Sequence, residues 1–178
     1  MKYADELIKA MDFLAKNPQT IFLGQAVEYP GTVMSTTLKN ISKEKLLEIP
    51  VAEEMQLGIT NGLALNNFIP VSIFPRWNFL LLAANQLINH LDKLSVMSQG
   101  KFKTKVIVRT SIGSQRPLHP QHQHIGDFTE AFKKVLTSTE IIRLEEPKDI
   151  FPAYEKALKR EDGKSTILVE YGDYYNEK

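Results

Sequence analysis

The chain contains no cysteine. That excludes disulfides, thiolate zinc sites and cysteine nucleophiles, and it agrees with a reducing compartment. An excess of one charge sign is also missing. Lys and Arg number 22 against 21 Asp and Glu, a formal net charge of +1, so the balance makes no electrostatic case for nucleic acid or an anionic membrane. Long hydrophobic runs are absent as well. The longest, Phe79 to Ala84, falls far short of the ~20 residues that cross a bilayer. Met1 to Glu6 carries acids where a signal peptide turns apolar. No GxGxxG, Walker, GxSxG or CxxC motif occurs. These absences leave the expectation of a cytoplasmic protein. With 178 residues, of which 43% are hydrophobic, there is enough material for one domain with a substantial core.

What is present alternates between two periods. Leu7, Ile8, Met11 and Leu14 recur at helical spacing over residues 3–16, and Asn17-Pro18 ends that helix. Thr20 to Gly24 reads as a buried strand, followed by a loop with a turn signal at Pro30-Gly31. Residues 32–45 hold at most a short helix. A second buried strand is predicted at 68–74, and further strands at 46–49, 105–109, 140–144 and 166–170. Between them fall helices from Glu53, over Trp77–Leu94 with apolar residues almost all round, from Asp127 as N-cap, and from Pro147. Residues 111–126, with Gly113, Pro117, Pro120 and Gly126, read as one long loop, a length that signals either function or elements misread at its ends. Strand–helix alternation at this spacing predicts a single α/β domain over residues 1–170, with a mostly parallel sheet covered by helices on both faces. Residues 171–178 read as a polar tail.

Chemistry gathers around Ile49-Pro50-Val51-Ala52-Glu53-Glu54. The proline stops a strand, and two carboxylates arrive as a helical pattern begins, so Glu53 sits where a strand ends and a helix starts. In open α/β sheets the crevice outside strand ends is where ligands bind. The helix dipole favours the charged carboxylate by up to about 1 kcal/mol, whereas burial favours the neutral form. A carboxyl group between these states can exchange a proton with a bound heterocycle. The plainer reading is a glutamate placed there for the dipole alone. Gly58 and Gly62 each cost about 1 kcal/mol relative to Ala inside a helix and leave a smooth face for close approach.

Three of the four histidines lie in His119-Pro120-Gln121-His122-Gln123-His124. Three readings stand side by side: a metal site, although no HExxH spacing exists; acid/base work near neutral pH; and an inert surface loop. His90, in the Trp77–Leu94 helix, reads as a hydrogen-bonded packing residue. Phe79 reads as packing unless a flat ligand stacks on it.

Taken in order, these segments resemble the pyrimidine-binding domain of thiamine diphosphate enzymes, in the transketolase-like superfamily. They are most similar to the N-terminal half of the beta subunit of 2-oxo acid (pyruvate) dehydrogenases, and less similar to the middle domain of transketolase. Ile49 to Glu53 resembles the segment around the family's cofactor-activating glutamate. Phe79 falls where the family places the ring that stacks on the aminopyrimidine. Met97 to Gly100 followed by Val108 to Gly113 resembles a run typical of these beta subunits, and Gln121-His122 resembles the active-site histidine loop. The resemblance covers nearly the whole chain. It implies thiamine diphosphate as cofactor, with Val51, Glu53 and Phe79 at its pyrimidine. It also implies Glu53 and His122 as catalytic residues: Glu53 shares a proton with a ring nitrogen to activate the cofactor, and His122 serves the substrate, with His124 second.

Two departures qualify this. Gln25 stands where such beta subunits often carry an acid, and the GDG…N motif for diphosphate and magnesium is missing. The resemblance therefore implies a split enzyme, inactive without a partner: an alpha-type subunit carrying GDG…N and holding magnesium, in a heterotetramer, with a homodimer as the other assembly. The small-molecule substrate is a 2-oxo acid or a ketose, and the reaction class is dehydrogenase/decarboxylase or transketolase-like. Neither nucleic acid nor membrane is expected as a partner. The competing reading is a non-catalytic structural or regulatory domain that keeps the fold and binds a partner subunit.

Overall fold

A computed structural model describes residues 1–29, 31–116 and 119–177. Pro30 of the predicted turn and Pro117 of the predicted long loop lie outside the described residues. The elements run in order as α1 (Tyr3–Ala15), β1 (Thr20–Gly24), α2 (Val33–Thr36), β2 (Leu46–Glu48), α3 (Glu53–Leu65), β3 (Ile69–Ile73), α4 (Trp77–Leu80), α5 (Leu94–Met97), β4 (Ile107–Ile112), α6 (Thr129–Val135), β5 (Glu140–Arg143), α7 (Pro147–Lys159), β6 (Thr166–Tyr171) and α8 (Tyr174–Glu177). The six strands form one sheet in the order β2-β1-β3-β4-β6-β5. Every pairing is parallel, as the alternation of periods predicts.

Two apolar layers enclose the sheet. On one face Leu7, Met11 and Leu14 of α1 and Ile150, Tyr154 and Ala157 of α7 pack on Phe22, Val71, Ile107 and Leu168. On the other, Leu57, Trp77, Leu80, Leu87 and Phe132 pack on Val108, Ile141, Ile167 and Val169. Strands buried on both faces read as continuous apolar runs, which is why their periodicity is weak. The chain leaves β1 toward β2, then returns across β1 to β3. This reversal opens a crevice at the carboxyl ends of the strands. There Gly24 approaches β3 so closely that an added Cβ would lie 2.5 Å from the Ile73 carbonyl oxygen.

Three expectations need correction. The helix predicted over Trp77–Leu94 is broken. After α4 come a 3₁₀ turn (Leu81–Ala83), a wider π turn (Gln86–His90) and a second 3₁₀ turn (Leu91–Lys93) before α5. The wide turn adds a residue and rotates the turns beyond it. Leu87, Leu91 and Asp92 face inward, while Leu82 and His90 are exposed. The segment is thus buried on one side, and His90 is not a packing residue. Asp92 explains the rotation: its fully buried carboxylate accepts hydrogen bonds from the amides of Thr137, Ser138 and Thr139 at 2.8–3.1 Å.

The strand predicted to end at Arg109 continues to Ile112, because the Arg109 charge is neutralised inside the protein. Its guanidinium is fully buried and bonds the Glu170 carboxylate through Nε at 2.7 Å and Nη2 at 3.0 Å. Finally, the segment expected to trail off as a polar tail folds back as α8. Tyr175 is buried, and the rings of Tyr174 and Tyr175 each lie 5.7 Å from that of Tyr3. No helix among the described residues is long and apolar enough to cross a membrane.

Candidate functional site

Glu48, at the end of β2, shapes one wall of the crevice. Its carboxylate accepts hydrogen bonds from the amides of Ala26, Val27 and Glu28 at 2.6, 2.9 and 2.9 Å, tying the loop after β1 to the end of β2. Pro50 then takes the chain off the sheet, and Glu53 becomes the first residue of α3. The Glu53 side chain is only 8% exposed, yet it has no hydrogen-bond or ion-pair partner among the described residues. A carboxylate so placed feels the positive end of α3 without being neutralised by another side chain. Its neighbour Glu54 accepts a 3.0 Å bond from Asn85 Nδ2, and Gln56 donates to the Ile73 carbonyl at 3.0 Å. These bonds lock α3 to β3 and to the broken helix. Val51 is 78% exposed, so the crevice is open on that side.

Phe79 lies in α4, half-buried. The structure brings it together with His124: the ring centroids are 5.4 Å apart, with planes inclined by 55°. His124 is half-buried, and its Nδ1 is buried without a hydrogen-bond partner. His122 is exposed and its ring faces His119 at 6.4 Å. No ring contact joins His122 to Phe79 among the described residues, and no three His, Asp or Glu side chains there gather as metal ligands. Gln25 is half-buried in the turn after β1.

One residue without a motif of its own organises this loop. Arg76, immediately before α4, donates from Nη1 to the carbonyls of Gly113 and His124, the latter at 2.9 Å. Asn78 Oδ1 accepts from the amide of Gly126 at 3.2 Å. The histidine segment is therefore strapped to the start of α4 at several points. A long loop with few apolar residues carries no local signal for these contacts, which join residues 37 and 48 apart.

The geometry thus defines a buried, unpartnered glutamate at a helix start and an aromatic ring backed by a histidine. The glutamate follows the end of β2 and the ring follows the end of β3 in a six-stranded parallel sheet. A family model described as the transketolase pyrimidine-binding domain matches residues 3–176, and the chain belongs to that family. It is similar to the pyruvate dehydrogenase E1 component subunit beta of Gracilaria tenuistipitata var. liui, at 28% identity over 98% of this chain and 54% of the relative. It is also similar to the mitochondrial subunit of that name from Pisum sativum, at 30% identity over 70% of this chain and 36% of the relative. The chain therefore spans about half the length of the first of these. Among solved structures it resembles a split gene transketolase, an inactive beta4 tetramer, with TM-score 0.72 and 16% identity over 94% of this chain and 50% of that one. Transketolase from Campylobacter jejuni gives TM-score 0.70 and 16% identity over 94% of this chain and 25% of that one. At such identities the structural likeness speaks to the fold.

Proposed function

We propose that this chain forms the pyrimidine-binding half of a thiamine diphosphate site in a split, cytoplasmic enzyme that acts on a 2-oxo acid or a ketose. The observation that carries the reading is Glu53: buried, unpartnered, and held at the start of α3 by the bonds of Glu54 and Gln56 that follow it. The residues present fit the pyrimidine end of the cofactor. Glu53 would hold a proton at a ring nitrogen, Phe79 would offer a ring face, and Val51 would border the third side. They do not fit the diphosphate end, for which the chain has no GDG…N motif. A partner subunit of the alpha type supplies that end together with magnesium. When bound, the cofactor provides the carbanion-stabilising chemistry needed beside a carbonyl. The chain's own residues orient it, exclude water from one side and place a proton.

His122 matches the family's pattern for the substrate-facing acid or base. The packing of His124 on Phe79 favours a second assignment, in which His124 takes that role. The two are separated in the complex with the GDG…N subunit. Glu53→Gln is expected to preserve the complex and to lower turnover by orders of magnitude. Replacing the working histidine by alanine lowers it by about 10²–10⁴-fold, and replacing the other leaves it near wild type. Unchanged turnover in Glu53→Gln removes the glutamate from the mechanism and leaves the non-catalytic, partner-binding domain. Tight magnesium-dependent binding of thiamine diphosphate by this chain alone, measured by calorimetry, contradicts the split-site reading.

A further inference from the structure

We propose that the cleft between Arg76, Ser111 and the Gly113-Ser114 backbone binds a small anion through one carboxylate or phosphoryl group. The cleft has a volume of about 250 Å³ and is also bordered by Thr32 and Val33. It lies where β3, β4 and β6 end, the region in which open α/β sheets receive ligands. None of its lining residues is acidic. Neither Glu53 nor Phe79 lines the cleft, and the proposal does not rest on the cofactor reading.

Three observations point to an anion. First, Arg76 is fixed by its two carbonyl acceptors, both on Nη1. Its Nε and Nη2 have no acceptor among the described residues. A guanidinium held in this way offers a preset fork that matches a carboxylate or phosphoryl group. Second, the cation is half-buried and has no carboxylate in direct ion-pair contact among the described residues. Burial lowers its pKa, opposed by the field of Asp173. Asp173 is engaged elsewhere, its Oδ1 accepting from the amides of Gln115 and Arg116 at 2.8 and 3.1 Å. Third, the amides of Gly113 and Ser114 donate to no acceptor among the described residues. Ser111 Oγ is held by its 2.7 Å bond to the Pro75 carbonyl. A cation and two spare amide donors around one small cavity with no acidic lining residue make a receptor for negative charge, sized for a head group rather than a whole cofactor.

The test is an amide NMR titration of the 178-residue chain with inorganic phosphate and, separately, with acetate, at ionic strength matched by chloride. Saturable shifts of the Gly113 and Ser114 amides are expected. A response to phosphate alone assigns a phosphoryl ligand, to acetate alone a carboxylate, and to both the shared anion chemistry. Arg76→Gln is expected to weaken binding about tenfold or more, because a charged hydrogen-bond partner is lost. That variant also frees the histidine segment, so Val33→Glu provides an independent arm. Val33 is 45% exposed at the cleft, and a carboxylate there repels the anion without touching the contacts of Arg76. Absence of saturable shifts with both probes, or undiminished affinity in Val33→Glu, overturns the proposal.

Discussion

Replacement of Glu170 by glutamine isolates a fully buried polar cluster in the core. The Glu170 carboxylate is fully buried and accepts from Arg109 Nε and Nη2 and from the hydroxyls of Tyr154 and Tyr175. Arg109 Nη1 reaches Thr37 Oγ1 at 3.1 Å. In Glu170→Gln the shape is kept, but the Arg109 cation remains fully buried with no counterion. One amide group now points its own donors at donors. Removing one partner of such a pair costs about 3–5 kcal/mol, a large part of the ~5–15 kcal/mol that holds a domain together. For a chain of this size the midpoint of thermal unfolding falls by roughly 6–20 °C, at ~2–4 °C per kcal/mol. Urea unfolding followed by far-UV circular dichroism reads the free energy directly. The double variant Arg109→Met/Glu170→Leu, which removes both charges, is expected to recover part of the loss. A cost below about 1 kcal/mol in Glu170→Gln, with an unchanged denaturant slope, refutes the argument that the pair is interdependent.

The same cluster predicts alkaline sensitivity. Burial first, and then the Glu170 charge, hold the Tyr154 and Tyr175 hydroxyls well above their ordinary value of 10.0. Their contribution is therefore fully present below that pH and is lost as the unfolded chain begins to ionise. The urea midpoint should be flat from about pH 8 to about pH 9.5 and fall steadily above about pH 10. Asp92→Ala is expected to cost at least about 2 kcal/mol, measured by the same unfolding assay, because the amides of Thr137, Ser138 and Thr139 lose their acceptor. Burial alone raises the Asp92 pKa, but the Lys93 ammonium and the Thr137 and Ser138 donors reverse this and hold it well below its ordinary 3.8. The wild type thus keeps this contribution above that pH and loses it in stronger acid, whereas the variant has none to lose.

Elements whose cause is local are legible in the amino-acid order. The helical spacing from Leu7 to Leu14, the apolar strands and the proline after Ile49 act within a few residues, and alternation of the two periods was enough to imply a parallel sheet. The placing of Glu53 at the first turn of α3 belongs here, since a strand-stopping proline and a helical pattern meet at that point. The tertiary structure alone decided whatever depends on partners distant along the chain. Arg109 and Glu170 are 61 residues apart, and only the register that sets Ser111 opposite Glu170 and Arg109 opposite Leu168 makes them diagonal neighbours. Without that register, Arg109 reads as the end of a strand. Asp92 captures a loop 45–47 residues away, and this capture breaks a helix that apolar periodicity describes as continuous and turns His90 to solvent. Arg76 decides which histidine meets Phe79. Two carbonyl contacts across 37 and 48 residues hold the histidine segment so that His124, not His122, lies against the ring. Backbone carbonyls carry no sequence signal, so only the folded chain shows where they converge.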